Sequence, residues 1–414
     1  MYCKSLLSNG IRVVSEAIPY VKSVTIGIWI GTGARSEQDY NHGISHFIEH
    51  LMFKGTQKRS AKCIAETVDA VGGQLNAFTA KEHTCYYMKV LDTQLELAVD
   101  ILSDMLLSSN FAEEDIGRER EVVLEEVHMY EDTPDELVHD IHLSKIWSGN
   151  PLGRNILGSI KSIGQLDENL VREYYQQFYT PDNMVIAAAG NLSHDELVQI
   201  SERFFSGMTG AKPKIQVAQP SFVPVKTVRT KEIEQVHFCL STQGVPQHSA
   251  DTYKLHVLNN VLGGGISSRL FQAIREEKGL AYSIYSYQTN YSDAGLFTIY
   301  AGTRPANTSQ VVEIILQTLQ SIRSDGITQN ELQRAKEQLK GGLFLGLESS
   351  SSRMSRLGKM ETTLGRYVTL EEVVDKIEQV SLEDVRLVAQ RLFDPATLGL
   401  TALGPISEKD IEIM

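Results

Sequence analysis

His46, Glu49 and His50 fall within five consecutive residues, His46-Phe47-Ile48-Glu49-His50, and that spacing suits hydrolytic metal chemistry. Residues four apart in a helix stand on one face about one turn apart, so both imidazoles can reach a single ion. Glu49, three residues after His46, shares that face and can touch a water on the metal without being a ligand. Zinc takes imidazole and carboxylate ligands, leaves a fourth position open for water, and lowers that water's pKa to about 7. Two histidines need a third ligand. A helix read over residues 112–130 offers Glu113, Glu114, Glu119, Glu121, Glu125 and Glu126. Glu119 and Glu126 are seven apart, two turns, and project from the same face. One can bind the metal while the other supports it or a histidine, since zinc-binding imidazoles usually donate their other N–H to an oxygen. The rival reading is a surface helix whose histidines bind nothing.

The helix carrying the histidines has apolar positions, Ile44, Phe47, Ile48, Leu51 and Met52, able to face a core. A strand over 24–30 precedes it, and Gly72-Gly73 and strands over 76–79 and 85–90 follow. The second half repeats this order: a strand over 236–241, a helix ending at Gly263-Gly264-Gly265, then strands over 282–288 and 297–301. Amphipathic helices over 95–107 and 308–322 come next in each half, and a helix running into a buried strand that stops at glycine closes both. Residues 211–225, with Pro213, Pro220 and Pro224 and no regular period, read as a linker. The expected organisation is a zinc-binding domain over 1–210, the linker, and a homologous domain without zinc over 226–414, to which the family resemblance given below adds a part in substrate binding. Each is an α+β sandwich, a mainly antiparallel sheet with helices on one side.

At 414 residues, with 42% hydrophobic and 22% charged, the chain is sized and composed for two or three globular domains. Its apolar runs fall far short of the roughly 20 residues a membrane span needs. The net charge of −13 argues against a nucleic-acid partner, which requires a concentrated basic face. Four cysteines without CxxC spacing, Cys3, Cys63, Cys85 and Cys239, make neither a disulfide framework nor a thiolate metal site. With no secretory or transit pattern near Lys4, Leu6 and Leu7, a cytoplasmic location is expected.

His46 to His50, followed by Leu51-Met52-Phe53-Lys54-Gly55-Thr56, resembles the signature of the pitrilysin and insulinase family, whose zinc motif reverses the usual His-Glu-x-x-His. The resemblance covers essentially the whole chain, and most resembles single-chain bacterial members related to the β subunit of the mitochondrial processing peptidase. It implies that Glu126 is the third ligand of one zinc ion (Zn2+) per chain, that Glu119 is an accessory glutamate, and that Glu49 is the general base. Asn76-Ala77-Phe78-Thr79 is similar to a family segment that forms a sheet edge beside the zinc and pairs with the substrate backbone. Arg275 and Tyr282 match a pair contributed by a C-terminal domain, where tyrosine can donate to an oxyanion and arginine can fix a carbonyl.

The resemblance further implies a clamshell-like fold, a chamber admitting peptides or unfolded polypeptides, and a homodimer in which Arg275 and Tyr282 of one copy face the zinc ligands of the other. Two rivals share the fold: a non-enzymatic scaffold, which usually loses the zinc set, and one partner of a two-chain processing peptidase. The helix over 253–262 carries only His256 and cannot hold zinc in the same way. Gly263 to Gly265 lacks the Gly-Lys-Ser/Thr of a phosphate loop and reads as a turn. His83, His128, His139 and His142 read as structural.

Overall fold

A computed structural model describes residues 1–215 and 217–411. Gln216, inside the expected linker, and the last three positions of the expected second domain lie outside the described residues. Two apolar runs, Ser23–Ile30 and Met184–Gly190, are buried nearly end to end, as central strands covered on both faces must be. Around them the first half reads β1 (Tyr2–Leu6), β2 (Arg12–Ala17), β3 (Ser23–Ile30), α1 (Ile44–Leu51), α2 (Ala61–Ala70), β4 (Gln74–Thr79), β5 (Thr84–Leu91), α3 (Leu95–Ser108), α4 (Glu113–Glu131), α5 (Pro134–Ile146), α6 (Ile160–Ile163), α7 (Glu168–Phe178), β6 (Met184–Gly190) and α8 (His194–Phe205). The second half reads β7 (Lys226–Thr230), β8 (Val236–Gln243), α9 (Thr252–Leu262), β9 (Ala281–Asn290), β10 (Gly295–Thr303), α10 (Thr308–Asp325), α11 (Gln329–Gly346), α12 (Ser350–Leu364), α13 (Leu370–Glu378), α14 (Leu382–Leu392) and β11 (Gly399–Gly404).

The strands form a six-stranded sheet, β1-β2-β6-β3-β5-β4, and a five-stranded sheet, β7-β11-β8-β10-β9. From β2 onward the second order repeats the first strand for strand. Even the single parallel pair recurs, as β2 with β6 and as β7 with β11. The mixed, mainly antiparallel α+β class and the repeated order of elements agree with the sequence.

The compact units depart from the linear bounds 1–210 and 226–414. Unit 1 comprises Met1–Met129, Arg154–Val217 and Gly346–Tyr367, and unit 2 comprises Tyr130–Gly153, Ala218–Leu345 and Val368 onward. The cause is that each sheet has two apolar faces while the helices of its own half fill only one. In unit 1, α1, α3, α4, α7 and α8 pack on one face. The opposite face, with Val14, Trp29, Cys85 and Val185, is covered by Met354 and Leu357 of α12, a helix from the second half. The approach is close: a Cβ added at Gly358 would lie 2.0 Å from Trp29 Nε1, and one at Gly27 2.5 Å from Met354 Sδ. Arg353 pairs with Glu16, and the buried Glu361 with Lys4 at 2.8 Å.

Unit 2 makes the reciprocal borrowing. Its main core lies under α9, α10 and α14, and the other face receives Leu137 and Val138 of α5 against Cys239, Tyr300 and Leu403. Fully buried His142 bonds Thr401 Oγ1 through Nδ1 at 2.9 Å and Ser241 Oγ through Nε2 at 2.5 Å. Both hydroxyls can accept or donate, so the buried ring is satisfied. Among the described residues all four cysteines are free, and no helix is long and apolar enough to cross a membrane.

Candidate active site

The site begins at α1, whose start is unusually fixed. Gly43 precedes it with a φ of 94°, the left-handed region where glycine is favoured. A Cβ there would strike Ile163, Leu157 and Gly158. The orphan N–H groups at the helix start are taken by the fully buried Glu37, which accepts from Gly43 N at 2.8 Å and Ser45 N at 2.9 Å. Ser45 Oγ bonds Tyr174 OH at 2.9 Å. Phe47, Ile48 and Leu51 anchor the apolar face in the core, which leaves His46, Glu49 and His50 turned the other way. The sequence offered no signal for Glu37, an acid in a loop six residues before the helix cap.

His46 Nε2 lies 3.1 Å from His50 Nε2, and Glu126 Oε2 lies 3.8 Å from the first and 3.6 Å from the second. Four donors at tetrahedral positions on zinc, each bonded at about 2.0–2.1 Å, are separated by roughly 3.3 Å. The three atoms therefore fit one zinc ion, and among the described residues they are the only such group of three histidine, cysteine or acidic side chains. Glu119 does not join them. Its Oε1 lies 2.8 Å from His50 Nδ1 and its Oε2 lies 2.5 Å from Lys54 Nζ, a partner the sequence did not point to. That bond fixes the His50 tautomer, with hydrogen on Nδ1 and the lone pair of Nε2 free for a metal.

Electrostatics divides the residues. Burial, helped by neighbouring His50, pushes the His46 pKa down to about 3, so it is neutral and ready to ligate. Burial acts the same way on His50 but is outweighed by Glu119, Glu126 and Glu49, and its pKa rises. Burial raises the Glu49 pKa, against the opposing bond from Thr79 and the proximity of His50. Glu119 is lowered, its burial overcome by His50 and Lys54.

Asn76, Ala77, Phe78 and Thr79 lie on β4, the last strand of the six-stranded sheet, paired with β5 alone. Asn76 Oδ1 accepts from Ala77 N at 2.8 Å, and Thr79 Oγ1 donates to Glu49 Oε2 at 2.5 Å. Arg275 and Tyr282 belong to unit 2, where the guanidinium stacks 4.5 Å from the tyrosine ring centre and Tyr282 is 77% exposed. Gly263 ends α9 where a Cβ would lie 2.5 Å from Ser286 N, which accounts for glycine by close packing. His139 bonds Tyr287 OH at 2.7 Å.

The family model described as Insulinase (Peptidase family M16) matches residues 12–160, and that described as Peptidase M16 inactive domain matches residues 165–339. A Bacillus subtilis protein named uncharacterized zinc protease YmxG is 48% identical, over 93% of this chain and 94% of that protein. A Mycobacterium leprae protein named uncharacterized zinc protease ML0855 is 41% identical, over 98% and 92%. A protease structure from Helicobacter pylori superposes with a TM-score of 0.89 at 22% identity, covering 98% of this chain and 99% of that one. A structure from Pseudomonas fluorescens described as a peptidase M16 inactive domain gives 0.91 at 18% identity, covering 98% of each. At those identities the likeness is one of fold.

Proposed function

The chain belongs to the insulinase family of zinc peptidases, family M16, and on that premise we propose that it is a zinc-dependent endopeptidase acting on peptides or unfolded polypeptides. The observation that carries this reading is the convergence of His46 Nε2, His50 Nε2 and Glu126 Oε2 beside a helix that also bears Glu49. Those three residues would hold one zinc ion per chain. When bound, zinc supplies a Lewis acid and makes coordinated water more acidic.

Glu49 takes a proton from the attacking water as the water oxygen adds to the scissile carbonyl carbon, and then delivers that proton to the departing amine nitrogen. Its raised pKa makes it a stronger base than an exposed carboxylate. Glu119 holds the Nδ1–H of His50 throughout. The outer edge of β4 offers backbone N–H and C=O groups to an extended peptide, and such pairing is indifferent to most side chains. Arg275 and Tyr282 of a second copy donate to the carbonyl and the developing oxyanion. The working form is then a homodimer whose chamber admits unfolded chains. A cytoplasmic location is supported by four free cysteines.

The inactive-domain description of residues 165–339 favours a second reading, a scaffold or one partner of a two-chain peptidase. The complete donor set in the other half favours the enzyme. Metal analysis of the purified chain paired with digestion of a fluorogenic peptide library tests the choice: one zinc per chain with metal-dependent cleavage is expected, and a zinc-loaded chain that cleaves nothing would leave the scaffold. Glu126→Gln should lower the zinc content, and unchanged stoichiometry would move the third ligand elsewhere. Mixing Glu49→Gln with Tyr282→Phe, each nearly inactive alone, should restore activity once subunits exchange, because one site of the mixed dimer is whole. No recovery would return the pair to its own chain.

A further inference from the structure

Glu49 has one hydrogen-bond partner among the described residues, the hydroxyl of Thr79. The direction of that bond is fixed by chemistry, since an ionised carboxylate only accepts. Oε2 is therefore pinned, and Oε1 is the oxygen left to receive a proton.

The hydroxyl is itself held rigidly. Thr79 ends β4 in register with Thr84, and Thr84 Oγ1 donates to Thr32 O at 3.0 Å. The chain beyond is clasped at once: Ala80 N bonds His83 O at 2.8 Å, Ala34 N bonds Ala80 O at 3.1 Å, and Arg35 N bonds Lys81 O at 2.7 Å. Side chains alternate along a strand. Leu75 and Ala77 turn toward the core that α1 packs on, whereas Phe78 turns to the other face, against Trp29 and Tyr87. Thr79 shares the face of Leu75 and Ala77, which directs it at α1. The strand at the sheet edge and the acid on the helix are thus joined by one short bond between two rigid elements.

We infer that Thr79 is a positioning residue: its hydroxyl orients the Glu49 carboxylate and ties the base to the edge strand on which a peptide would lie. This rests on Glu49 being the general base. A carboxylate held by one oxygen presents the other in a fixed direction, and proton transfer depends on such alignment before it depends on basicity. A residue serving only to bind peptide would act through its backbone, which any side chain supplies.

The test compares Thr79→Val, Thr79→Ser and Glu49→Gln in the zinc-loaded full chain, on one fluorogenic peptide identified by library digestion. Thr79→Val keeps shape and loses the hydroxyl. Its kcat should fall by about 10- to 100-fold, the worth of a hydrogen bond to a charged group, with KM, zinc content and melting temperature unchanged. Thr79→Ser, which restores the hydroxyl, should recover most of kcat. An undiminished kcat in Thr79→Val would overturn the inference, as would a loss confined to KM, a fall in zinc content or melting temperature that accounts for the lost activity, or failure of serine to rescue. Glu49→Gln separates the two levels. If it is inactive while Thr79→Val is normal, only the positioning role fails; if it is active, the base assignment fails and the inference with it.

Discussion

Helices α1 and α9 occupy the same place in the repeated order, between the central strand and the edge hairpin of their sheets, yet only α1 carries a donor set. Where α1 has His46, Glu49 and His50, α9 has His256 alone, with its Nδ1 against the side chain of Gln288. Burial pushes His256 down to about 4 and leaves it a neutral, half-buried residue. The two units thus hold one topology and one chemistry. A sheet needs only pattern and packing, which tolerate substitution, whereas a metal site needs three donors to meet within a few ångström.

The largest expected contrast is between these helices. Glu49→Gln should lower turnover by roughly 100-fold or more, the contribution of general-base catalysis, at unchanged zinc content, while His256→Ala leaves turnover per folded molecule as it was. Equal losses in both variants would erase the distinction. Steady-state kinetics with metal analysis decides it.

The borrowed helices give the next contrast. In unit 1 the seat of α12 is steric, and Gly358→Ala would drive a methyl to 2.0 Å from Trp29 Nε1. A cost of about 3 kcal/mol is expected, at the upper end for overpacking; urea unfolding within a few tenths of wild type would show that the helix shifts freely.

Acid should separate the units. In unit 2, burial pushes His142 to about 3, His139 and His256 to about 4, and His237 downward. An unfolded histidine binds a proton near pH 6.5 that these buried rings refuse, so their contribution is lost as pH falls from about 6.5 toward 4. Unit 1 has His42, His46, His83 and His194 of the same sign, but Glu37, pushed up to about 7 by burial, has the opposite one. It is protonated in the folded state before the unfolded, and its contribution grows as pH falls through that range. Hydrogen exchange resolved by segment should show unit 2 opening first on acidification. Earlier opening of unit 1 would reverse the assignment.

The smallest effect concerns the polar seat of α5. Thr401→Val removes one of the two hydroxyls on His142 and should cost about 1 kcal/mol, a typical net hydrogen bond. A stabilised variant would mean that the bond does not offset its own burial.

The histidine pair was legible because its geometry is local: the period of a helix puts residues 46, 49 and 50 on one face whatever surrounds them. Glu126 was legible through the family's spacing, and the repeated order of elements along the chain through repetition of apolar segments. Glu37, Lys54 and the bond from Thr79 to Glu49 were not, because their partners lie on other elements and no sequence period links a loop acid or a strand hydroxyl to a helix. The same holds for α5 and α12. Which sheet would receive them was not readable from the sequence.

The sequence by itself therefore determined the repeated order of its main apolar elements and the residue types able to hold zinc, both consequences of short-range periodicity. Only the tertiary structure decided that each sheet is completed by a helix from the opposite half, that Glu119 bonds His50 and Lys54, and that Glu49 is fastened to the edge strand by Thr79. Those outcomes depend on how buried surfaces fit and how buried polar groups find partners, and both are settled by contacts between residues far apart in the chain.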